Sequence, residues 1–188
     1  MGCGAQVVTE NYGGDVAVVS VYLNAGSRFE TLESSGAARL WLNLMLRGTK
    51  SKNRGQLEAA IEQLGGQLKV TCQRELIGLT LTVHKGETQK ALDLLLEMFL
   101  ETNLDQKTLD GEKENLVTLA KETSRDQHNY CNEALLYTSF REHMMGQPRN
   151  GNRDTVQNLT VKDLEAHRER TLCGNNLVLV VSGSSSHE

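Results

Sequence analysis

The side chains with the strongest claim to metal or nucleophilic chemistry in this 188-residue chain are five histidines and four cysteines. A catalytic zinc site needs three protein ligands and one open position, and two of those ligands commonly sit one helical turn apart. His84, His128, His143, His167 and His187 are scattered, and no HxxxH or HxxEH pair occurs. They read as surface or capping histidines. Cys3, Cys72, Cys131 and Cys173 form no CxxC pair and read as reduced thiols. There is no GxSxG elbow and no phosphate-binding GxxxxGK[ST] loop. Arg28, Lys50, Lys52 and Arg54 make a mild basic cluster, read as a solvated face.

The rest of the composition narrows the classes further. Hydrophobic residues are 38% and charged residues 23%, with one Pro and 17 Gly, which is the profile of a globular chain with a real core. Twenty Lys and Arg against 24 Asp and Glu leave a net charge of -4, and aromatics are 4%. That balance argues against nucleic acid as a partner. The longest apolar runs, residues 91–100 and 176–181, are too short to cross a bilayer. Met1-Gly2-Cys3 resembles a lipidation start, but Gln6 stands where that motif needs Ser or Thr. No signal or transit segment precedes the first strand-like run, so a mature or shortened chain is expected.

Elements that could position chemistry follow from periodicity. Residues 5–9 and 16–23 read as two strands joined as a hairpin through Asn11-Tyr12-Gly13-Gly14-Asp15. Residues 36–46 read as a helix apolar almost all round, and 56–64 as a second helix ending at Gly65-Gly66. Trp41, Met45 and Leu46 are expected in the core. Strands at 67–72 and 77–84 follow, the second alternating Ile77, Leu79, Leu81 and Val83 with polar or small residues. Helices are expected at 87–100, 105–126 (capped by Asp105), 132–144 and 160–171 (capping box Thr160/Asp163). An apolar strand at 176–182 comes last. The segment 147–152, with the single Pro, reads as a surface turn. The expected fold is α+β, a mostly antiparallel sheet with helices packed on one face.

Several of these stretches resemble a known family. Leu23-Asn24-Ala25-Gly26-Ser27-Arg28-Phe29-Glu30-Thr31, then Gly36-Ala37-Ala38, then Arg47-Gly48-Thr49-Lys50 are similar to the N-terminal signature of pitrilysin-type metallopeptidases. Ile61-Glu62-Gln63-Leu64-Gly65-Gly66-Gln67-Leu68, Arg74-Glu75 and Asn176-Leu177-Val178-Leu179-Val180-Val181 extend the likeness over nearly the whole chain. It is strongest to the subgroup of the mitochondrial processing peptidase and the core proteins of the cytochrome bc1 complex. The resemblance implies one N-terminal half-domain over residues 1–188, with 183–188 beginning a linker or tail.

Active members carry HxxEH on the helix after the Gly-Ala-Ala motif, two His ligands and a Glu base, and a distal Glu completes the zinc site. Transferred position by position, the first His falls on Arg39, the Glu on Leu42, the second His on Asn43 and the distal Glu on Leu119, taking Glu112 as the earlier acidic residue of that helix. A shift would offer Glu122 instead. The resemblance therefore implies a degenerate homologue with no catalytic, cofactor or metal residue and no cofactor, in which Arg39 is expected to pair with Glu112 or Glu122. The function it implies is a structural core subunit of mitochondrial ubiquinol-cytochrome c reductase (complex III), at the matrix side of the inner membrane. The alternative is the non-catalytic alpha-type subunit of the processing peptidase, which presents presequences to an active partner. Implied partners are a second half-domain, a homologous core subunit and, indirectly, the membrane subunits of complex III.

Overall fold

A computed structural model describes residues 4–183, leaving aside the side chains of residues 123 and 124. Met1-Gly2-Cys3, His187 and the tail from residue 184 onward lie outside the described residues. Strands β1 (Gln6–Asn11) and β2 (Val16–Leu23) lead into helices α1 (Ala37–Met45) and α2 (Arg54–Gln63). Then come β3 (Gln67–Cys72), β4 (Ile77–His84), α3 (Thr88–Leu100), α4 (Gln106–Arg125), α5 (Gln127–Phe140), the short α6 (Arg153–Asn158), α7 (Val161–Thr171) and β5 (Leu177–Gly183). Among the described residues the strands form one sheet in the order β1-β5-β2-β4-β3.

The expected α+β class and mostly antiparallel sheet hold, with one parallel pair, because β1 does not form the expected hairpin with β2. It lies parallel to β5, from Gln6 opposite Val178 to Asn11 opposite Gly183, and β5 separates it from β2. The cause is the apolar run of β5. A strand carrying Leu177, Val178, Leu179, Val180 and Val181 in succession is best satisfied inside a sheet, with a neighbour on each side. The other ladders are antiparallel.

Alternation then sorts the two faces. Val19, Val21 and Leu23 of β2 and Ile77, Leu79 and Leu81 of β4 are fully buried beneath the helices. The register places Leu68, Val70 and Cys72 of β3 opposite Leu81, Leu79 and Ile77, and hence on the same face. The opposite face carries Ser20 and Thr80, whose hydroxyls are 2.9 Å apart. Helices α1, α3, α4 and α7 contribute Leu40, Leu42, Leu95, Phe99, Leu109, Leu116 and Leu164 to the single core. Burying each such side chain stabilises the fold by roughly 1.5 to 3 kcal/mol, so the core is the dominant favourable term.

Two helical boundaries differ from expectation. Helix α5 begins at Gln127 rather than 132, because Asp126 accepts from the His128 amide (3.0 Å) and so caps a new helix directly behind α4. It ends at Arg141, whose φ of 39° is left-handed. Helix α6 is additional. The segment before it is no plain surface turn, because Gly151 is buried against the start of α1. A Cβ on Gly151, whose φ is 74°, would lie 2.6 Å from the Ser35 carbonyl oxygen and 2.8 Å from Gly36 Cα. Gly36, at φ 101°, is in turn the N-cap of α1. Two backbones therefore meet where side chains are excluded.

Gly151→Ala is expected to destabilise the fold by about 2 kcal/mol or more, since the obstructing atoms are backbone. Gly111→Ala, in a helical site with nothing within 4 Å, should instead stabilise it by about 0.5 to 1 kcal/mol. Urea denaturation of the two variants reads both signs.

Candidate functional site

Helix α1 buries Ala37, Ala38, Leu40, Trp41, Leu42, Leu44 and Met45. Trp41 meets Phe99 and His167 edge-on, with centroids 6.4 and 6.1 Å apart, so it and Met45 belong to the core as expected, with Leu46 partly buried against it. A helix so enclosed cannot offer its first amides to water. The Glu30 carboxylate takes them instead, accepting from Gly36 N (2.9 Å) and Ala38 N (2.8 Å). Burial pushes the Glu30 carboxyl up to about 7, although both amides and Arg170 favour its charged form.

His167 closes the other side. Its Nε2 lies 3.0 Å from the Ala25 carbonyl oxygen and its Nδ1 lies 3.2 Å from an Arg170 nitrogen, so the neutral ring donates through Nε2 and accepts from Arg170. Burial depresses this imidazole to about 4, and the Arg170 charge acts in the same direction. His84 and His143 accept from Gly86 N and Met145 N, which are capping roles, and His128 lies beside Asn132. The basic residues expected to form a solvated patch are mostly tied down singly: Arg28 to Glu75, Lys52 to Glu97 and Arg54 to Glu58. At Glu97, burial would raise the carboxyl, but bonds from Lys52, Ser51 and Thr49 together bring it down to about 2.

The positions singled out from the family signature form one strip along α1 and α4. Arg39 is half-buried; its Nε is enclosed with no hydrogen-bond acceptor among the described residues, and its guanidinium lies against the Cys72 thiol of β3. Burial raises that thiol and the Arg39 charge draws it back. Leu42 is fully buried. Asn43 Nδ2 donates to Glu112 Oε2 at 3.0 Å, and Arg47 grips Glu112 Oε1. Asn115 adds a third donor at 3.3 Å. Leu119 packs partly buried against the core, and Glu122 is exposed.

The expected Arg39–Glu112 pair is therefore corrected: Glu112 belongs to Asn43 and Arg47. The reason is helical geometry. Residues 39, 43 and 47 follow one another at i, i+4 spacing, and the two nearer the C-terminal end of α1 reach α4, while Arg39, a turn earlier, reaches the end of β3. The quoted Arg47-Gly48-Thr49-Lys50 stretch contained the signal for Arg47. Nothing in the sequence alone pointed to Cys72, since strand register is required to bring it to Arg39.

A guanidinium has no lone pair to give, Leu42 has no donor atom, and the Asn43 amide is engaged by a carboxylate. Among the described residues no group of three or more His, Cys, Asp or Glu is placed to hold a metal ion. Nor is any described helix long and apolar enough to cross a membrane.

Residues 6–153 match the family described as insulinase (peptidase family M16), and the chain belongs to that family. Mitochondrial-processing peptidase subunit beta of Blastocladiella emersonii is 26% identical over 171 residues, covering 91% of this chain and 37% of that protein. Cytochrome b-c1 complex subunit 1 of Mus musculus is 24% identical over 185 residues, covering 98% and 38%. The chain thus spans well under half the length of these relatives. Among solved structures, a peptidase M16 inactive domain from Pseudomonas fluorescens superposes with a TM-score of 0.86 at 18% identity, covering 97% of this chain and 45% of that one. A protease from Helicobacter pylori gives 0.83 at 22%, covering 98% and 45%. These superpositions establish the half-domain fold.

Removing one partner of the mostly buried Glu112 cluster leaves a charge without compensation. Arg47→Met is expected to cost about 2 to 4 kcal/mol in chemical denaturation, more than Arg54→Met on the exposed face.

The buried pair around Arg170 gives opposed pH dependences. Stability from Glu30, whose carboxyl is raised from 4.5 to about 7, is complete below 4.5 and lost as pH rises through about 7. Stability from His167, depressed from 6.5 to about 4, is complete above 6.5 and lost as pH falls through about 4. Between pH 5 and 8 the wild type should therefore lose on the order of 2 to 3 kcal/mol relative to Glu30→Gln, read from urea melts at both pH values.

Proposed function

We propose that this chain is a non-catalytic, structural member of the M16 family: a core subunit of mitochondrial ubiquinol-cytochrome c reductase, complex III, at the matrix side of the inner membrane. The observation that carries the reading is the strip on α1 and α4. Where the family signature calls for two imidazoles and two carboxylates, this chain has Arg39 against Cys72, Leu42 in the core, Asn43 bound to Glu112, and Leu119. A fixed cation stands in the place of a ligand to a dication, and the position of the general base carries no titratable group. In this reading Arg39, Leu42, Asn43 and Leu119 mark a retired metal site, and neither metal nor cofactor takes part in the chain's role. That role is to hold neighbouring subunits: a second half-domain, a homologous core subunit and, through them, the membrane subunits.

The similarity to cytochrome b-c1 complex subunit 1 supports this assignment, and the mitochondrial names of the relatives support the compartment. The similarity to processing-peptidase beta subunits supports that peptidase as a second context, in which the chain, without HxxEH, would be the alpha-type, presequence-presenting partner of an active subunit. Purification of the native full-length protein in mild detergent separates the two. The core-subunit reading predicts b- and c-type haem absorbance and membrane subunits following the protein. Copurification with a soluble homologue carrying intact HxxEH, and no haem, would establish the second reading and overturn the first.

A further inference from the structure

Beside the Arg39 end of α1 lies a cavity of about 330 Å³ between α4, α5 and the loop before α6, within the size range of small-molecule sites. Its walls are apolar, with Tyr130, Tyr137, Ala134 and Pro148 among them, and Tyr130 and Tyr137 are largely exposed on α5. One carboxylate, Glu133, faces it, and Arg74 already binds that group at 2.8 Å. Arg149 also lines it, and among the described residues Arg149 forms no ion pair. The Arg39 Nε, enclosed without an acceptor, is a second guanidinium lacking a carboxylate. Both cations influence the Cys72 thiol, as does the Glu30 carboxylate, which the Gly36 and Ala38 amides already hold.

A half-buried guanidinium beside apolar walls and without an ion pair is free to take its strongest partner, a carboxylate bound through two parallel N–H donors. We propose that the cavity is a binding site for a small organic carboxylate with an apolar body: the carboxylate on Arg149, with Arg39 adding positive potential behind it, and the body against Tyr130 and Tyr137. The apolar walls select against bare anions. The guanidiniums select against apolar molecules that are neutral or cationic.

Isothermal titration of the full-length protein with octanoate tests this, with octanol, octylamine and inorganic phosphate as comparison probes. Octanoate is expected to saturate one site at micromolar to low millimolar concentration, at least tenfold more tightly than any of the other three. Arg149→Gln should weaken octanoate at least tenfold, and Arg39→Met by a smaller factor, with octanol unchanged in both. Equal affinity for octanoate and octanol, equal affinity for octanoate and phosphate, or an Arg149→Gln protein that binds octanoate like the wild type would each overturn the proposal. Should Arg39→Met fail to fold, Arg149→Gln, a change on a half-buried loop, decides alone.

Discussion

A nine-residue helix enclosed on almost every side must find partners for its polar groups inside the protein, and in this chain that requirement governs α1 and much of what surrounds it. Its leading amides are met by the buried Glu30 carboxylate. Its polar C-terminal side chains, Asn43 and Arg47, converge on Glu112 of α4. The close approach of Gly151 to Ser35 and Gly36 locks the loop before α6 over the helix start. All three contacts meet on one element, which also buries Trp41 and Leu42 in the core.

The same enclosure explains what the helix does with the positions of the family's metal motif. The motif needs a face open to water and substrate, with lone pairs converging on a cation. Here Asn43, Arg47 and Glu112 still line a cavity of about 450 Å³, but the motif positions carry an aliphatic side chain, an amide bound to a carboxylate, and a guanidinium against a thiol. Arg47 neutralises Glu112, while Arg39 forms no ion pair among the described residues. In the proposed role, hydrogen bonds and packing across the same strip stand where ligand bonds would be.

Much of this was legible in the residues. Ile77 to Val83 announced a half-buried strand by alternation, Thr160 and Asp163 a capping box, and Ala37 to Met45 a buried helix by its apolar circumference. What remained hidden depended on pairing between distant segments. The partner of β1 was set by the apolar run of β5, some 170 residues away along the chain, and local turn chemistry at Gly13-Gly14 pointed to the wrong neighbour. The start of α5 depended on Asp126 acting as a cap without any Gly or Pro to mark the break. The partners of Arg39 and Glu112 depended on which side of α1 faces α4 and which faces β3, and one sequence does not encode that in any short-range spacing.

The central claim is that the α1–α4 strip has exchanged metal ligands for internal pairing, and titration of zinc into chelator-treated full-length protein tests it most directly. The account predicts no saturable binding at micromolar zinc, and an unchanged result in Asn43→Ala and Glu112→Gln variants that remain folded. Stoichiometric binding with micromolar or tighter affinity, abolished by substitution at Asn43 or Glu112, would contradict it.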